Sequence, residues 1–172
     1  MNFLKLISII FIFSGIFPLT NIAYSENKDP NNYKVLLSTN KKLSIANVQA
    51  YITEGDKLIE NGDFEKAKEK YDKARDLARK LAGFYMDLNG SFKGIDARVP
   101  LEMEKKGRQS IKVWAESSSR LAALYIRKKQ PEVAVPLLVE VIRLMSPNSP
   151  EGKEAYVTLK QLGFVDTSYK GF

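Results

Sequence analysis

The acid–base candidates to consider in this sequence are paired carboxylates, and the chain contains neither histidine nor cysteine. A serine–histidine pair, a thiolate nucleophile and the common zinc sites all require one of those two residues. Asp72 and Asp76 stand four residues apart, which places both carboxylates on one face of a helix. Each is followed by a basic residue, Arg75 after the first and Arg79 after the second. This spacing favours solvated ion pairs over an acid–base couple.

Two glycines, Gly90 and Gly94, are spaced as in part of a phosphate-binding loop. Neither the preceding strand nor the Lys that such a loop requires is indicated by the surrounding sequence. The sequence therefore predicts no catalytic residue, no cofactor and no metal site. We expect a protein that is not an enzyme and that acts by recognising another molecule.

Residues 50–80 organise the chain, and their pattern predicts two helices joined by a short turn at residues 61–63. Gly62 accepts a positive φ, and the carboxylate of Asp63 can accept hydrogen bonds from the first N–H groups of the next helix. So short a turn requires the two helices to pack antiparallel. The second helix carries an apolar stripe at helical period. Its members are Phe64, Ala67, Tyr71, Ala74, Ala78, Leu81, Tyr85 and Leu88.

Small residues on both predicted helices allow their backbones to approach closely, and aromatic residues fill the space between them. In this respect the stretch resembles the tetratricopeptide repeat (TPR), a helical hairpin of about 34 residues. Glu54 departs from the Leu that is usual in the family, and the closing Pro is missing. An ordinary helical hairpin within a bundle is the alternative. The matching positions are Tyr51 at the family's Trp, Gly55 at its Gly, Leu58 at its first Tyr, the turn residues 62–64, and Ala67, Tyr71 and Ala74.

The motif recurs near the end of a second predicted helix pair. Residues 100–129 can form one long helix, and Leu121, Ala122 and Tyr125 repeat the spacing of the family's Leu-Gly-x-x-Tyr. A turn at Gln130-Pro131 follows, and then Ala134, Leu138 and Val141 have the offsets of Ala67, Tyr71 and Ala74. Ala67 and Ala134 are 67 residues apart, close to two repeat units of about 34 residues.

The chain is therefore expected to be all-α, with TPR-like helical hairpins stacked as a short solenoid. About five helices are predicted, two of them long. Ser149 and Pro150 would start the last helix and Gly163 would end it. The helical domain is assigned to residues 44–165, and residues 166–172 are expected to be a loose tail.

The first residues read as a targeting segment. An apolar run follows a single positive charge at Lys5, and the small residues Ala23 and Ser25 follow the run. This pattern is typical of a secretory signal peptide over residues 1–25, because the run is shorter than a membrane span of about 20 residues. An uncleaved anchor is the alternative. Residues 26–43 are predicted to be a flexible linker, although its apolar group at residues 35–37 could dock on the helices or on a partner.

The chain of 172 residues carries 27 Lys and Arg against 20 Asp and Glu, a net charge of +7. Basic and aromatic residues alternate from residue 84 onwards, which could suit an anionic membrane surface or an acidic protein face. Nucleic acid is not expected as a partner of an exported protein. The alternative is that these charges only solvate a long helix. The residues of this loop and basic patch are Phe84, Tyr85, Phe92, Lys93, Arg98, Lys105, Lys106 and Arg108.

The TPR resemblance implies a binding groove. In that family the first helix of each repeat lines a concave surface that receives an extended peptide or a partner helix. The Lys and Asn set with which some relatives clamp a C-terminal carboxylate is not present in this sequence. Carried over by motif position, the groove residues would be Gln49, Ile52, Asp56 and Ile59 from the first repeat, and Glu116, Ser119, Ala123 and Arg127 from the second.

The overall pattern of residues 50–167 also resembles an uncharacterised exported TPR-like family of cyanobacteria and plastids. That resemblance implies delivery to the thylakoid lumen or the periplasm and a role in assembling or stabilising a photosynthetic membrane complex. We therefore expect a non-enzymatic adaptor whose partner is a peptide or helix of a membrane-complex subunit. The alternative is a peripheral binder of anionic membrane surface through the basic patch. The sequence leaves the oligomeric state open.

Overall fold

The computed structural model describes residues 42–169, which form five α-helices and no strand. The helices are α1 (Ile45–Glu60), α2 (Phe64–Phe92), α3 (Arg98–Arg127), α4 (Pro131–Met145) and α5 (Pro150–Gln161). The prediction of an all-α chain with two long helices is confirmed for this part. The predicted signal peptide at residues 1–25, most of the predicted linker and residues 170–172 lie outside the described residues.

Local hydrogen bonds set the ends of the helices where the sequence indicated them. Gly62 has a φ of 77°, and Asp63 caps α2 by accepting a hydrogen bond from the backbone N–H of Lys66. Ser149 caps α5 in the same way, accepting from the N–H of Gly152 at 2.9 Å. Each cap satisfies one of the first N–H groups of its helix, which have no partner inside the helix.

The sequence predicts that the second helix ends at about Asn89, with Gly90 and Gly94 as helix breakers, and that the next helix starts at Pro100. The structure differs at both of these ends. α2 continues through Gly90 to Phe92, since an interior glycine weakens a helix by only about 1 kcal/mol. The break comes at Gly94, whose φ is 86°. α3 begins at Arg98, two residues before Pro100, because the N–H that proline lacks would have no helical partner in the first turn. α3 also ends at Arg127, two residues earlier than the predicted end at residue 129.

Neighbouring helices pack together in chain order, and two groups of buried side chains form the core. One lies where α1 meets α2 and α3, and includes Val48, Ile52, Ala78 and Leu81. The other joins α2 and α3 to α4 and α5. α2 and α3 have 29 and 30 residues, whereas α1 and α4 have 16 and 15. The long pair therefore extends past both neighbours, and we refer to residues 82–111 as the distal hairpin.

The small residues of the motif stand where helices come closest. Ala67, Ala74 and Ala134 are all 0% exposed. A Cβ added at Gly55 would lie 2.4 Å from Cε1 of Tyr71, far inside van der Waals contact. At this contact α1 and α2 therefore pack with no room for a side chain at position 55.

A polar cluster joins α2, α3 and α4. Arg75 donates two hydrogen bonds of 2.8 Å to the carboxylate of Glu140, and Ser118 donates a third at 2.7 Å. Burial acts to raise the pKa of Glu140, but the hydrogen bonds from Arg75 and Ser118 outweigh it and hold the pKa below its usual value. The indole N–H of Trp114 is buried and forms no hydrogen bond within the described residues.

The predicted tail from residue 166 is held against the rest of the chain in its described part. The hydroxyl of Tyr156 donates to the carbonyl of Thr167 at 3.0 Å. The rings of Tyr156 and Tyr169 meet edge to face, with their centroids 5.8 Å apart. Residues 167 and 169 of the predicted tail therefore contact α5.

Candidate functional site

The surface where α1 and α2 meet α3 contains a cleft of about 230 Å³, which we call the interhelical cleft. It draws residues from both copies of the helix-pair motif. α1, α2 and α3 alternate in direction, so α1 and α3 point the same way. The last turns of α1 therefore lie beside the second half of α3. The lining residues are Asp56, Ile59, Tyr71, Arg120, Ala123, Leu124 and Arg127.

One side of the interhelical cleft is a hydrogen-bonded group centred on Asp56. The hydroxyl of Tyr71 donates to its Oδ1 at 2.6 Å, and Nε of Arg120 lies 3.1 Å from the same oxygen. Burial, and then the hydrogen bond to Asp56, raise the pKa of Tyr71 well above its usual value, so the hydroxyl remains a donor. These contacts fix the side chain of Arg120 at the edge of the cleft, where it is 48% exposed.

The floor of the cleft is small and its other side is cationic. Ala123 is exposed and lies between Arg120 and Arg127 on one face of α3. The guanidinium of Arg127 lies over the ring of Phe64, with 5.9 Å between its central carbon and the ring centroid. Two guanidinium groups therefore flank a surface that Ala123 and the buried Leu124 form, and Ile59 supplies an apolar wall.

A smaller cleft of about 100 Å³ adjoins the first on the far side of Ala123. It lies where α3 and α4 meet α5, and Ser119, Glu151 and Glu154 are among its lining residues. Because Ala123 lines both clefts, they form one surface that crosses α1, α3 and α5. This surface has basic groups near its centre and acidic groups at the α5 end.

Most of the predicted groove residues belong to this surface, but not all of them. Asp56, Ile59, Ala123 and Arg127 line the interhelical cleft, and Ser119 lines the adjoining one. The assignment of Ile52 was wrong, because its side chain is 1% exposed and packs in the core between α1 and α2. Gln49 is exposed on α1 and Glu116 is half-buried on α3, and neither residue lines the interhelical cleft or the cleft that adjoins it.

The motif positions missed Arg120 and Tyr71, which contribute most of the polar geometry. A signal for Arg120 was present in the sequence, because residues 116, 120, 123 and 127 follow the three- and four-residue spacing of one helix face. Tyr71 was placed correctly as a space-filling aromatic, and it is 2% exposed. Its hydroxyl, however, also reaches the cleft and positions Asp56.

The predicted basic patch lies on the distal hairpin, where local ion pairs neutralise part of it. Arg98 pairs with Asp96 at 2.7 Å. Lys106 and Arg108 pair with glutamates one turn earlier on α3, each at 2.5 Å. Among the remaining patch residues, Phe84 is 52% exposed and its ring meets that of Tyr85 edge to face at 5.3 Å. Phe92 is half-buried, and Lys93 and Lys105 are exposed.

The two aspartates considered for acid–base chemistry are ion-paired. Asp76 pairs with Arg79 at 3.2 Å, as the spacing predicted. Asp72 pairs with Lys68, one turn earlier, at 2.7 Å. Arg75, the expected partner of Asp72, is held instead by Glu140.

Within residues 42–169 no helix is both long enough and apolar enough to cross a membrane. No protein-family model matches the chain, and no curated protein matches its sequence. Over residues 42–169 the chain is all-helical, with a cleft between its helices.

Proposed function

We propose that this protein is a TPR-type adaptor without enzymatic activity, which binds a peptide or helix of a protein partner across α1, α3 and α5. The observation that carries the proposal is the interhelical cleft itself. It is lined by Asp56 and Ile59 from the first helix of one motif copy and by Ala123 and Arg127 from the corresponding helix of the other. A surface built from the first helices of successive pairs is the binding surface of helical repeat proteins.

Packing at the motif positions supports the TPR interpretation. Ala67 and Ala134 occupy equivalent, fully buried sites in the second helices of the two pairs, and Gly55 admits the ring of Tyr71 against the α1 backbone. These positions are the ones that must stay small if the pairs are to stack closely.

The charge of the surface supports a partner segment with an acidic side chain near its middle. Arg120 and Arg127 lie seven residues apart on α3, about 10 Å at the rise of an α-helix. A guanidinium forms stronger hydrogen bonds with a carboxylate than with a neutral acceptor. Because Arg120 already pairs with Asp56, Arg127 is the guanidinium that would bind an acidic residue placed above Ala123, with an apolar neighbour against Ile59.

A site-specific crosslink tests the location of the binding surface. Because the chain has no cysteine, Ala123→Cys provides one unique attachment point for a photoreactive maleimide. We expect the label at this position to capture the partner, whereas a label at exposed Arg143 on α4 should not. Crosslinking is done in the native host with the leader intact, and the products are identified by mass spectrometry.

A charge reversal tests the chemistry. Arg127→Glu should weaken capture about tenfold, because it replaces attraction of a carboxylate by repulsion, and it should leave the helical circular dichroism unchanged. Arg143→Glu makes the same change of charge on exposed α4 surface and should have little effect. Unchanged capture by Arg127→Glu would move the binding site away from this cleft.

For the setting, we propose export to the thylakoid lumen or the periplasm and a role in assembling or stabilising a membrane complex, in cyanobacteria or plastids a photosynthetic one. The support is the leader-like pattern of residues 1–25 and the family resemblance of residues 50–167. Fractionation of the host tests the location, and recovery of the protein in the cytoplasm alone would refute it. Reproducible crosslinks to membrane-complex subunits are the expected result for the partner.

Binding to an anionic membrane surface is the competing function, and salt distinguishes the two. Charges exposed to solvent are screened beyond about 8 Å at physiological ionic strength. Binding to protein-free anionic vesicles that disappears as salt rises would favour the membrane. The ion pairs of Arg98, Lys106 and Arg108 leave less net charge for that role than the sequence indicated.

A further inference from the structure

The distal hairpin carries a larger groove, of about 580 Å³, far along the long helices from the interhelical cleft. It runs between the end of α2 and the start of α3. We call it the distal groove. Its apolar lining includes Ala82, Met86, Leu101, Met103 and Ile111.

The distal groove continues the surface on which α4 already packs. Glu140 of α4 is held by Arg75 of α2 and Ser118 of α3. Ala82 follows Arg75 by seven residues and Ile111 precedes Ser118 by seven, so each stands on the same helix face as the residue that binds Glu140.

α4 stops before it reaches the groove. It ends at Met145, five residues and about 7.5 Å beyond Glu140, whereas Ile111 lies about 10 Å beyond Ser118 along α3. α4 therefore lies along the first half of the α2–α3 pair, packed mainly on α3 and bonded to α2 through Arg75, and it leaves the second half of the pair uncovered. An α-helix has the shape that this uncovered half accommodates.

The exposed lining is apolar and adaptable. Leu101 and Met86 are 70% and 66% exposed and line the same groove, and adjacent exposed apolar side chains of this kind mark a binding surface. Methionine side chains adjust to the shape of a partner because they are unbranched and flexible. A Cβ added at Gly107 would lie 3.7 Å from the Cβ of Tyr85, so α3 packs closely on α2 at this position of the groove.

The rim is basic. Lys93 lines the groove, and Lys105 lies on the adjacent surface that shares Leu101 with it. Neither lysine forms an ion pair within residues 42–169. Where α4 covers the α2–α3 pair, by contrast, the carboxylate of Glu140 on α4 neutralises Arg75. Charge complementarity thus favours a helix that carries acidic residues beside its apolar stripe.

We propose that the distal groove is a second binding site, which takes an amphipathic helix with acidic flanks from a protein partner. The site is independent of the interhelical cleft and remains if that cleft binds nothing. Its concave shape suits a helix better than a flat lipid surface, and its position beyond α4 explains why the two long helices extend so far.

The test uses the full chain and two synthetic helical peptides with leucines at helical spacing, one with glutamates at the flanking positions and one with lysines. Methionine methyl groups report on the site. Met86 and Met103 line the groove, whereas Met145, the last residue of α4, packs in the core. The glutamate peptide should shift the first two methyl signals and leave Met145 unchanged. It should bind at least about tenfold more tightly than the lysine peptide.

A matched pair of variants locates the binding. Leu101→Glu should weaken binding of the glutamate peptide at least about tenfold, and it leaves the fold intact because the side chain is exposed. Val157→Glu makes the same kind of change at a 49% exposed apolar residue on α5 and should have no effect. Failure of the glutamate peptide to shift Met86 and Met103, equal binding of the two peptides, or equal effects of the two variants would overturn the proposal.

Other occupants give different results, and each of them overturns the proposal. Self-association in sedimentation that Leu101→Glu abolishes would assign the groove to a second copy of the chain. Methyl shifts produced by anionic vesicles and reversed by salt would assign it to a membrane surface. Binding of the glutamate peptide that occurs only after deletion of residues 26–41 would assign it to the chain's own preceding segment.

Discussion

Replacing Gly55 by alanine should destabilise the protein, although alanine is the better helix former. The new Cβ would lie 2.4 Å from Cε1 and 2.7 Å from Cδ1 of Tyr71, where ordinary contact begins at 3.4 Å. Tyr71 cannot move outwards easily, because it is 2% exposed and its hydroxyl is bonded to Asp56 at 2.6 Å. Overpacking of this kind costs about 1–3 kcal/mol, and a weakened hydrogen bond to a carboxylate costs about 1.5–3 kcal/mol more.

The higher helix propensity of alanine raises the free energy of unfolding of the variant by about 1 kcal/mol. We therefore expect Gly55→Ala to lower the free energy of unfolding by about 3 kcal/mol. Urea unfolding followed by circular dichroism and by the fluorescence of Trp114 measures it, since this single tryptophan packs against the core beside α1. Coincident transitions by the two probes would justify a two-state analysis.

Gly83→Ala is the matched control, because Gly83 lies inside α2 and nothing stands within 4 Å of its added Cβ. It should raise the free energy of unfolding by up to about 1 kcal/mol. Tyr71→Leu should in turn reduce the cost of Gly55→Ala by more than about 1 kcal/mol, since the two sites are in contact. If Gly55→Ala stabilised the protein as much as Gly83→Ala does, the close packing of α1 on α2 would be refuted.

Three further changes test the α4–α5 turn and the polar cluster. Gly152→Ala should lower the free energy of unfolding by more than about 2 kcal/mol, because its Cβ would lie 2.0 Å from the backbone oxygen of Ser146; an unchanged urea midpoint would contradict this. Ser149→Ala removes the α5 cap and should lower the free energy of unfolding by about 1 kcal/mol in the same urea assay. Glu140→Gln should cost about 2 kcal/mol at pH 7, since the hydrogen bonds from Arg75 then reach a neutral group. The pKa of Glu140 is held below 4.5, so the wild-type chain should lose this stabilisation only as the pH falls below about 4.5. Below that pH, the free energy of unfolding should decline less steeply in Glu140→Gln than in the wild type.

Features that depend on neighbours in sequence could be predicted. The turn at Gly62 and the caps at Asp63 and Ser149 follow from contacts three residues apart, so the local pattern contains the information needed. The burial of Ala67 and Ala134 also follows from spacing, because a small residue at helical period indicates a packed face.

The orientation of α1 and the pairing of charges could not be predicted in the same way. Ile52 and Asp56 are one turn apart, yet one is buried and the other lines the interhelical cleft. The difference depends on how α1 rotates against two other helices. Likewise Arg75 has an acidic residue close in sequence, but it binds Glu140, 65 residues away. The partner is selected by the packing of α4, which helical periodicity does not specify.

The length of α3 relates the two surfaces to each other. Arg127 at the interhelical cleft and Leu101 at the distal groove are 26 residues apart on one continuous helix, about 39 Å at the rise of an α-helix. A helix of the length of α1 or α4 would span only about 24 Å, and the chain would then have no distal hairpin. The distal hairpin, residues 82–111, lies between the two copies of the motif, which recur after 67 residues. If both proposed sites bind, the continuous helix α3 would hold the two bound segments at this fixed distance from each other.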